Sequence, residues 1–245
     1  MDTRLIIDEP ARGSWNMAID EALLESAGQG GGPVLRFYRW SEPTLSLGYF
    51  QQIANRVQHP TSSLLPVVRR ATGGGAIVHD CELTYSFVTA IRDRFSSEIQ
   101  AFVIQFHESL IETLKHCGVR AGLCGDAMGE TKAEPFLCFQ RRSSLDILID
   151  GSKVVGSAQR SYHGALLQHG SILLSRSSQA VELPGIQELS KREPSHQQIV
   201  GDWSQRLAKQ FGFRYRSCAP TPAELASAAS IEHRRFANTS WTNKR

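Results

Sequence analysis

Three short runs carry the residue types that chemistry needs. Residues 69–80 read Arg-Arg-Ala-Thr-Gly-Gly-Gly-Ala-Ile-Val-His-Asp. Gly73, Gly74 and Gly75 weaken any strand they sit in. Their use is to let backbone come close to a partner, with N–H groups facing the space a Cβ would fill. Arg70 and Thr72 add a fixed cation and a hydroxyl, a set that suits a phosphate or an acyl carbonyl. Neither a Walker A loop nor a dinucleotide fingerprint is present, and a tight hairpin with surface arginines fits the run as well. In residues 146–160, Lys153 begins an apolar strand, and Gly156, Ser157 and Ala158 leave room beside it. That lysine is either a charge held against apolar surface or one that snorkels to solvent, and spacing alone favours snorkelling. Residues 167–174 embed His169 and Gly170 in apolar sequence, where a histidine is more often a hydrogen-bonded core residue than a catalyst.

The cysteines are Cys81, Cys117, Cys124, Cys138 and Cys218. The number is odd and no pair has C-x-x-C spacing, so neither a disulfide framework nor a zinc ribbon is expected. A reducing cytosol suits such a set. The net charge of +3 lacks the concentrated excess of a dedicated nucleic-acid binder. The first residues do not read as a secretory signal, and no apolar run is long enough to span a membrane. With 245 residues, the chain can bury a sizeable core without a metal or disulfide staple.

Elements must position these runs. A helix is expected after Ser14 as its cap, with Trp15, Ala18, Ile19, Ala22 and Leu23 on one face and the glycines of residues 28–32 ending it. Residues 34–40 and 44–49 read as a hairpin about a turn at residues 41–43, and residues 64–69 and 76–79 as a second pair around the glycines. Residues 83–88 alternate as a half-buried strand does. The longest helix is expected over residues 97–117, and a loop over residues 126–139. Residues 145–149 and 153–157 form a hairpin on the turn Asp150-Gly151. Residues 166–174 are a strand pair or one long bent strand. Two helices, near 195–211 and 221–236, finish the chain as a peripheral addition.

Together and in order, the runs resemble the biotin/lipoate ligase and octanoyltransferase superfamily. Arg-Arg-x-Thr-Gly-Gly-Gly-x-x-x-His-Asp at 69–80 resembles its glycine turn. Asp-Gly-x-Lys-Val-x-Gly-Ser-Ala-Gln at 150–159 resembles its lysine strand, and Gln-His-Gly-Ser at 168–171 the strand that follows. Residues 15–24 are similar to the first helix of lipoate-handling members, and residues 235–242 to their closing helix and tryptophan. The resemblance implies an α+β fold, a mixed β-sheet flanked by helices like the catalytic domains of class II aminoacyl-tRNA synthetases and biotin synthetase. One such domain would occupy residues 1–245, its C-terminal helices covering about 195–245. It implies an acyl tunnel beside the glycine turn, with Arg70, Thr72, Gly73, Gly74, Gly75, His79, Gly156, Ser157, Ala158, His169 and Gly170 as substrate-binding residues. The implied acceptor is a lipoyl-domain lysine, as in glycine cleavage H protein or a 2-oxoacid dehydrogenase E2.

The superfamily holds ATP-using lipoate ligases and octanoyltransferases that act through a cysteine thioester. Cys138, followed by Phe139, precedes Lys153 by 15 residues. This is similar to the octanoyltransferases first described in Gram-positive bacteria, in which a Cys-Phe pair at this place carries the acyl group and the lysine favours the thiolate. The resemblance therefore implies catalytic roles for Cys138 and Lys153, with Cys81 as a rival thiol beside His79 and Asp80. A second octanoyltransferase type has its cysteine three residues before the His-Gly pair, where this chain has Leu166. Many ligases carry a further small domain, for which 245 residues leave little room. The expectation is an octanoyltransferase taking its acyl group from octanoyl-acyl carrier protein. It needs no cofactor or metal, and has neither nucleic acid nor membrane as a partner. Arg141 and Arg142, next to the cysteine, are candidates to meet an acidic carrier. The alternatives are an ATP- and Mg-dependent lipoate ligase, an amidotransferase between lipoyl domains, or a non-catalytic lipoyl-carrier binding protein.

Overall fold

The computed structural model describes residues 1–91, 99–125 and 135–245. Strands β1 (Asp2–Ile7) and β2 (Val34–Tyr38) are parallel and joined by helix α1 (Gly13–Gly28), as parallel neighbours require a crossover. Next come β3 (Thr44–Leu47), β4 (Val67–Arg69) and β5 (Ile77–His79), which form a small sheet in the order β4-β3-β5. Strand β6 (Glu82–Ala90) precedes α2 (Ile99–His116), β7 (Gly122–Leu123), β8 (Ile147–Ile149), β9 (Ser152–Tyr162) and β10 (Ala165–Leu173). The chain continues through α3 (Ile186–Ser190), α4 (His196–Phe211), β11 (Arg214–Ser217), α5 (Pro222–Ile231) and α6 (Thr239–Thr242). The large mixed sheet has the order β11-β1-β2-β6-β10-β9-β8-β7.

Helices α2 and α4 cover one face of this sheet, where Phe37, Tyr85, Phe87, Phe106 and Trp203 form an aromatic core. Helices α1 and α5 cover the other, with Ile19, Leu23, Leu24, Ala228 and Ile231 buried. Burying side chains of this size stabilises the fold by about 1.5–3 kcal/mol each. The small sheet closes a third cluster around Leu45, Leu47, Ala76, Val78, Phe136 and Leu137. Between the sheets lies the cavity described below.

Several local expectations give way to tertiary pairing. Residues 34–40 and 44–49 are no hairpin, since β2 and β3 belong to different sheets. Likewise β4 and β5 each pair with β3 and not with one another. Strand β6 is buried on both faces, because α2 and α4 cover one while α1 and, at Thr84, the cavity cover the other. The first helix is capped by Arg12 backbone, not by the Ser14 side chain, and is buried on nearly all sides. The predicted start of the long helix and most of the loop 126–139 lie outside the described residues. The Asp150-Gly151 turn is as expected, with φ of 47° and 76°, and residues 165–173 are one strand. The C-terminal segment is no peripheral addition. Strand β11 extends the sheet beside β1, and the buried Arg69 guanidinium donates to the Thr242 carbonyl at 2.7 and 3.0 Å.

Candidate active site

Cys138 is stitched to the glycine run by backbone. Phe136 and Leu137 are buried beneath the small sheet, Ala76 N–H donates to the Phe136 carbonyl at 2.9 Å, and Cys138 N–H donates to the Ala76 carbonyl at 2.7 Å. Gly75 makes this approach possible: a Cβ there would lie 2.8 Å from Cys138 N and 2.9 Å from its Cα. Gly74, at φ 93°, lets the run reverse direction.

Lys153 reaches the same place from the start of β9. Its Nζ lies 3.6 Å from Cys138 Sγ, donates to the Cys138 carbonyl at 3.3 Å, and is 2.9 Å from Asp146 Oδ2. The lysine is only 6% exposed, so it does not snorkel, and it is ion-paired with Asp146. A Cβ at Gly156 would fall 2.6 Å from Lys153 Cε and 3.0 Å from Nζ, which is the room that the small residues provide. Asp146 accepts the Ser143 N–H at 2.7 Å. Burial pushes its carboxyl above the usual range, against the pull of the Lys153 ammonium. Sequence reasoning assigned Asp146 no role, although it opens the lysine run; a carboxylate seven residues from a buried lysine was the available signal.

A cavity of ≈ 260 Å³ opens beside this pair. Its floor crosses β9, β10, β6 and β2, where register aligns Gly156, Ser171, Thr84 and Tyr38 in one row. Gly73, Gly74 and Ile77 border it from the glycine run, and Cys138, Ser157, Ala158, His169 and Gly170 also line it. Gly170 must lack a side chain, since a Cβ there would sit 2.7 Å from the Tyr85 ring. Met17 and Gln159 line it as well, from the first-helix and lysine-strand runs in which they had been given no role, and Trp40 had no motif to announce it.

Polar groups around the cavity are held by one another. Arg70 is buried and donates to the Ser46 hydroxyl at 2.6 Å and to the Gly75 carbonyl at 2.8 Å. It is thus a clamp on the turn as well as a lining residue. Since a guanidinium only donates, the Ser46 hydroxyl gives its proton to His79 Nε2 at 2.6 Å. His79 Nδ1–H then faces Glu82 Oε1 at 2.7 Å. Burial lowers the His79 pKa although Glu82 raises it, in keeping with a neutral ring stacked 3.7 Å from Trp40. Thr72 meets His169 Nε2 at 2.9 Å, and His169 Nδ1 lies 3.7 Å from Asp20. Burial disfavours the Asp20 charge, but Arg36 and His169 bring its pKa below the usual range. Cys81 lies apart, beside a separate small cavity with Val78 and Leu173, and burial raises its thiol pKa. Arg142 donates to the Phe139 and Gly151 carbonyls and Arg141 to that of Pro135, so both brace the cysteine loop.

No helix among the described residues is long and apolar enough to cross a membrane. Residues 12–199 match the family model of the lipoyl protein ligase A/B catalytic domain. The octanoyltransferase LipM of Carboxydothermus hydrogenoformans is 41% identical over 180 residues, covering 71% of this chain and 66% of that protein. That of Brevibacillus brevis is 31% identical over 272 residues, covering 99% of each. Among solved structures, lipoate-protein ligase A bound with ATP superposes with a TM-score of 0.79 at 22% identity, covering 99% of each chain. The bipartite lipoate protein ligase of Thermoplasma acidophilum gives 0.78 at 21%, covering 99% of this chain and 96% of that one. At such identity these two speak for the fold. On the matching catalytic domain and the full-length likeness, the chain belongs to the lipoyl protein ligase A/B catalytic domain family.

Proposed function

We propose that this protein is an octanoyltransferase of lipoate biosynthesis, moving octanoyl from acyl carrier protein to the lysine of a lipoyl domain through a thioester on Cys138. The observation that carries the thioester reading is the buried ammonium of Lys153, 3.6 Å from Cys138 Sγ at the cavity wall. A ligase that activates its acid with ATP needs no thiolate there. The relatives named octanoyltransferase LipM support the same reading.

In the first half-reaction, the Cys138 thiolate attacks the donor thioester carbonyl, and the carrier thiolate leaves. In the second, the lipoyl lysine amine attacks the acyl-enzyme, its proton passes to solvent, and the Cys138 thiolate is released. Lys153 stabilises the thiolate and the developing oxyanion, helped by backbone N–H groups of Gly73 to Gly75. Seven apolar carbons contribute at most about 5–6 kcal/mol at ~0.8 per carbon, equivalent to a Kd of order 10⁻⁴ M. Protein–protein contacts with the carrier must supply the remaining selectivity. No ATP or metal takes part, and the cytosol keeps the free cysteines reduced.

The test is incubation with octanoyl-acyl carrier protein and a lipoyl domain without ATP, followed by intact-protein mass measurement. An octanoyl adduct on the enzyme, chased onto the lipoyl domain, is the expected result. Transfer only with free octanoate or lipoate and ATP, with AMP released, would assign the ligase reaction instead. Transfer from an octanoylated lipoyl protein alone would assign the amidotransferase.

A further inference from the structure

Among the described residues, Cys138 and Asp146 are the acidic groups that face the Lys153 head, and one of them is consumed in the proposed reaction. The Cys138 thiolate becomes an uncharged thioester once acylated. Asp146, 2.9 Å away on the other side, is untouched by the chemistry. A buried ammonium without a counter-charge tends to lose its proton, and Lys153 is nearly enclosed. We infer that Asp146 is a positioning residue that keeps Lys153 an ammonium while Cys138 is acylated, so that Lys153 serves the second half-reaction as a fixed cation and not as its base.

This deepens the thioester reading and rests on it. The geometry is built for a stationary charge. The Ser143 N–H anchors Asp146, and His107 Nδ1–H donates at 2.6 Å to the carbonyl of the adjacent Leu145. Bare Gly156 admits the lysine head. Among the described residues, the charged or titratable groups around Lys153 are Cys138, Asp146, Arg142 beside Asp146, and His107 from α2. Arg70 and Arg141 lie on the Cys138 side. Asp146 is the carboxylate that pairs with it. In the second half-reaction the N–C bond forms, the C–S bond breaks, and the electron pair returns to Cys138 sulfur. The amine proton goes to solvent, and Lys153 begins and ends protonated.

The test compares the two half-reactions in Asp146→Asn, by single-turnover mass measurement with octanoyl-acyl carrier protein and then a lipoyl domain. Adduct formation should stay within about tenfold of wild type, since the thiolate–ammonium pair alone is neutral, while transfer at alkaline pH should fall about a hundredfold. The ratio of variant to wild-type transfer rates should rise as pH falls from about 9 to about 6, where a buried lysine regains its proton. Asp146→Glu should restore transfer, and so should Lys153→Arg in the Asp146→Asn background, because a guanidinium cannot discharge. Wild-type transfer by Asp146→Asn, or a deficit that neither pH nor arginine relieves, overturns the inference. Loss of adduct formation in a folded Asp146→Asn overturns it too, placing Asp146 before acylation. Should that variant not fold, Asp146→Ser carries the same comparison. Absence of a Cys138 adduct in the wild-type protein overturns the thioester reading itself, and this inference with it.

Discussion

Replacing Gly156 by alanine tests the electrostatic pairing without removing any charged group. The new Cβ would lie 2.6 Å from Lys153 Cε and 3.0 Å from Nζ, well inside van der Waals contact. Those atoms are the far end of a flexible side chain, so the lysine moves and the backbone stays. Relief requires a shift of about 1 Å, and the Asp146 partner favours movement away from the thiol. At an effective dielectric of ~20, charges 3.6 Å apart attract by about 4.6 kcal/mol, and by about 3.6 at ~4.6 Å. The lost 1 kcal/mol corresponds to about a fivefold slower acylation of Cys138. Stability should hold or rise, since alanine in a strand costs less backbone entropy than glycine. Single-turnover acylation followed by intact mass, alongside thermal unfolding, gives both numbers. Wild-type acylation in a normally stable Gly156→Ala would refute the claim that the position of the ammonium matters. A fall in Tm of several degrees would refute the claim that only the lysine moves.

Three other perturbations probe separate parts of the structure. Cys138→Ser should abolish the hydroxylamine-sensitive octanoyl adduct while Cys81→Ala keeps it; the reverse pattern in mass spectra would move the nucleophile to Cys81. Gly75→Ala should slow acylation at least tenfold, because its Cβ meets Cys138 backbone as well as the Arg141 side chain; an unchanged rate would show that the cysteine loop adapts. Burial pushes the His107 pKa down to about 4 from its ordinary 6.5, so the unfolded chain binds a proton across that interval which the native ring refuses. Stability should therefore fall by about 3 kcal/mol as pH drops from 6.5 to 4. His107→Gln should lose that component of the slope in urea titrations, and equal slopes would contradict it.

Glycine, lysine, histidine and cysteine runs were legible in the sequence because each depends on residue identity along a few consecutive positions. Consecutive glycines signal close backbone approach, as Gly75 makes beside the Cys138 backbone. The hydrophobic stripe of α2 and the Asp150-Gly151 turn are likewise local. A cap was less readable: Ser14 was expected to cap α1, but its hydroxyl donates to Glu232 and Arg12 holds the cap position. What the chain pairs with was not legible. Alternation in residues 34–40 and 44–49 is the same whether the two strands form a hairpin or enter separate sheets, and only packing across the core separates them. The Asp146–Lys153 contact, the Arg70 clamp and the Tyr38–Trp40 end of the cavity depend on strand register and on loops meeting between two sheets. The sequence therefore named a thiol and a lysine 15 residues apart. The tertiary structure alone brought them to 3.6 Å and buried a carboxylate against the lysine, since distance and desolvation belong to the folded chain.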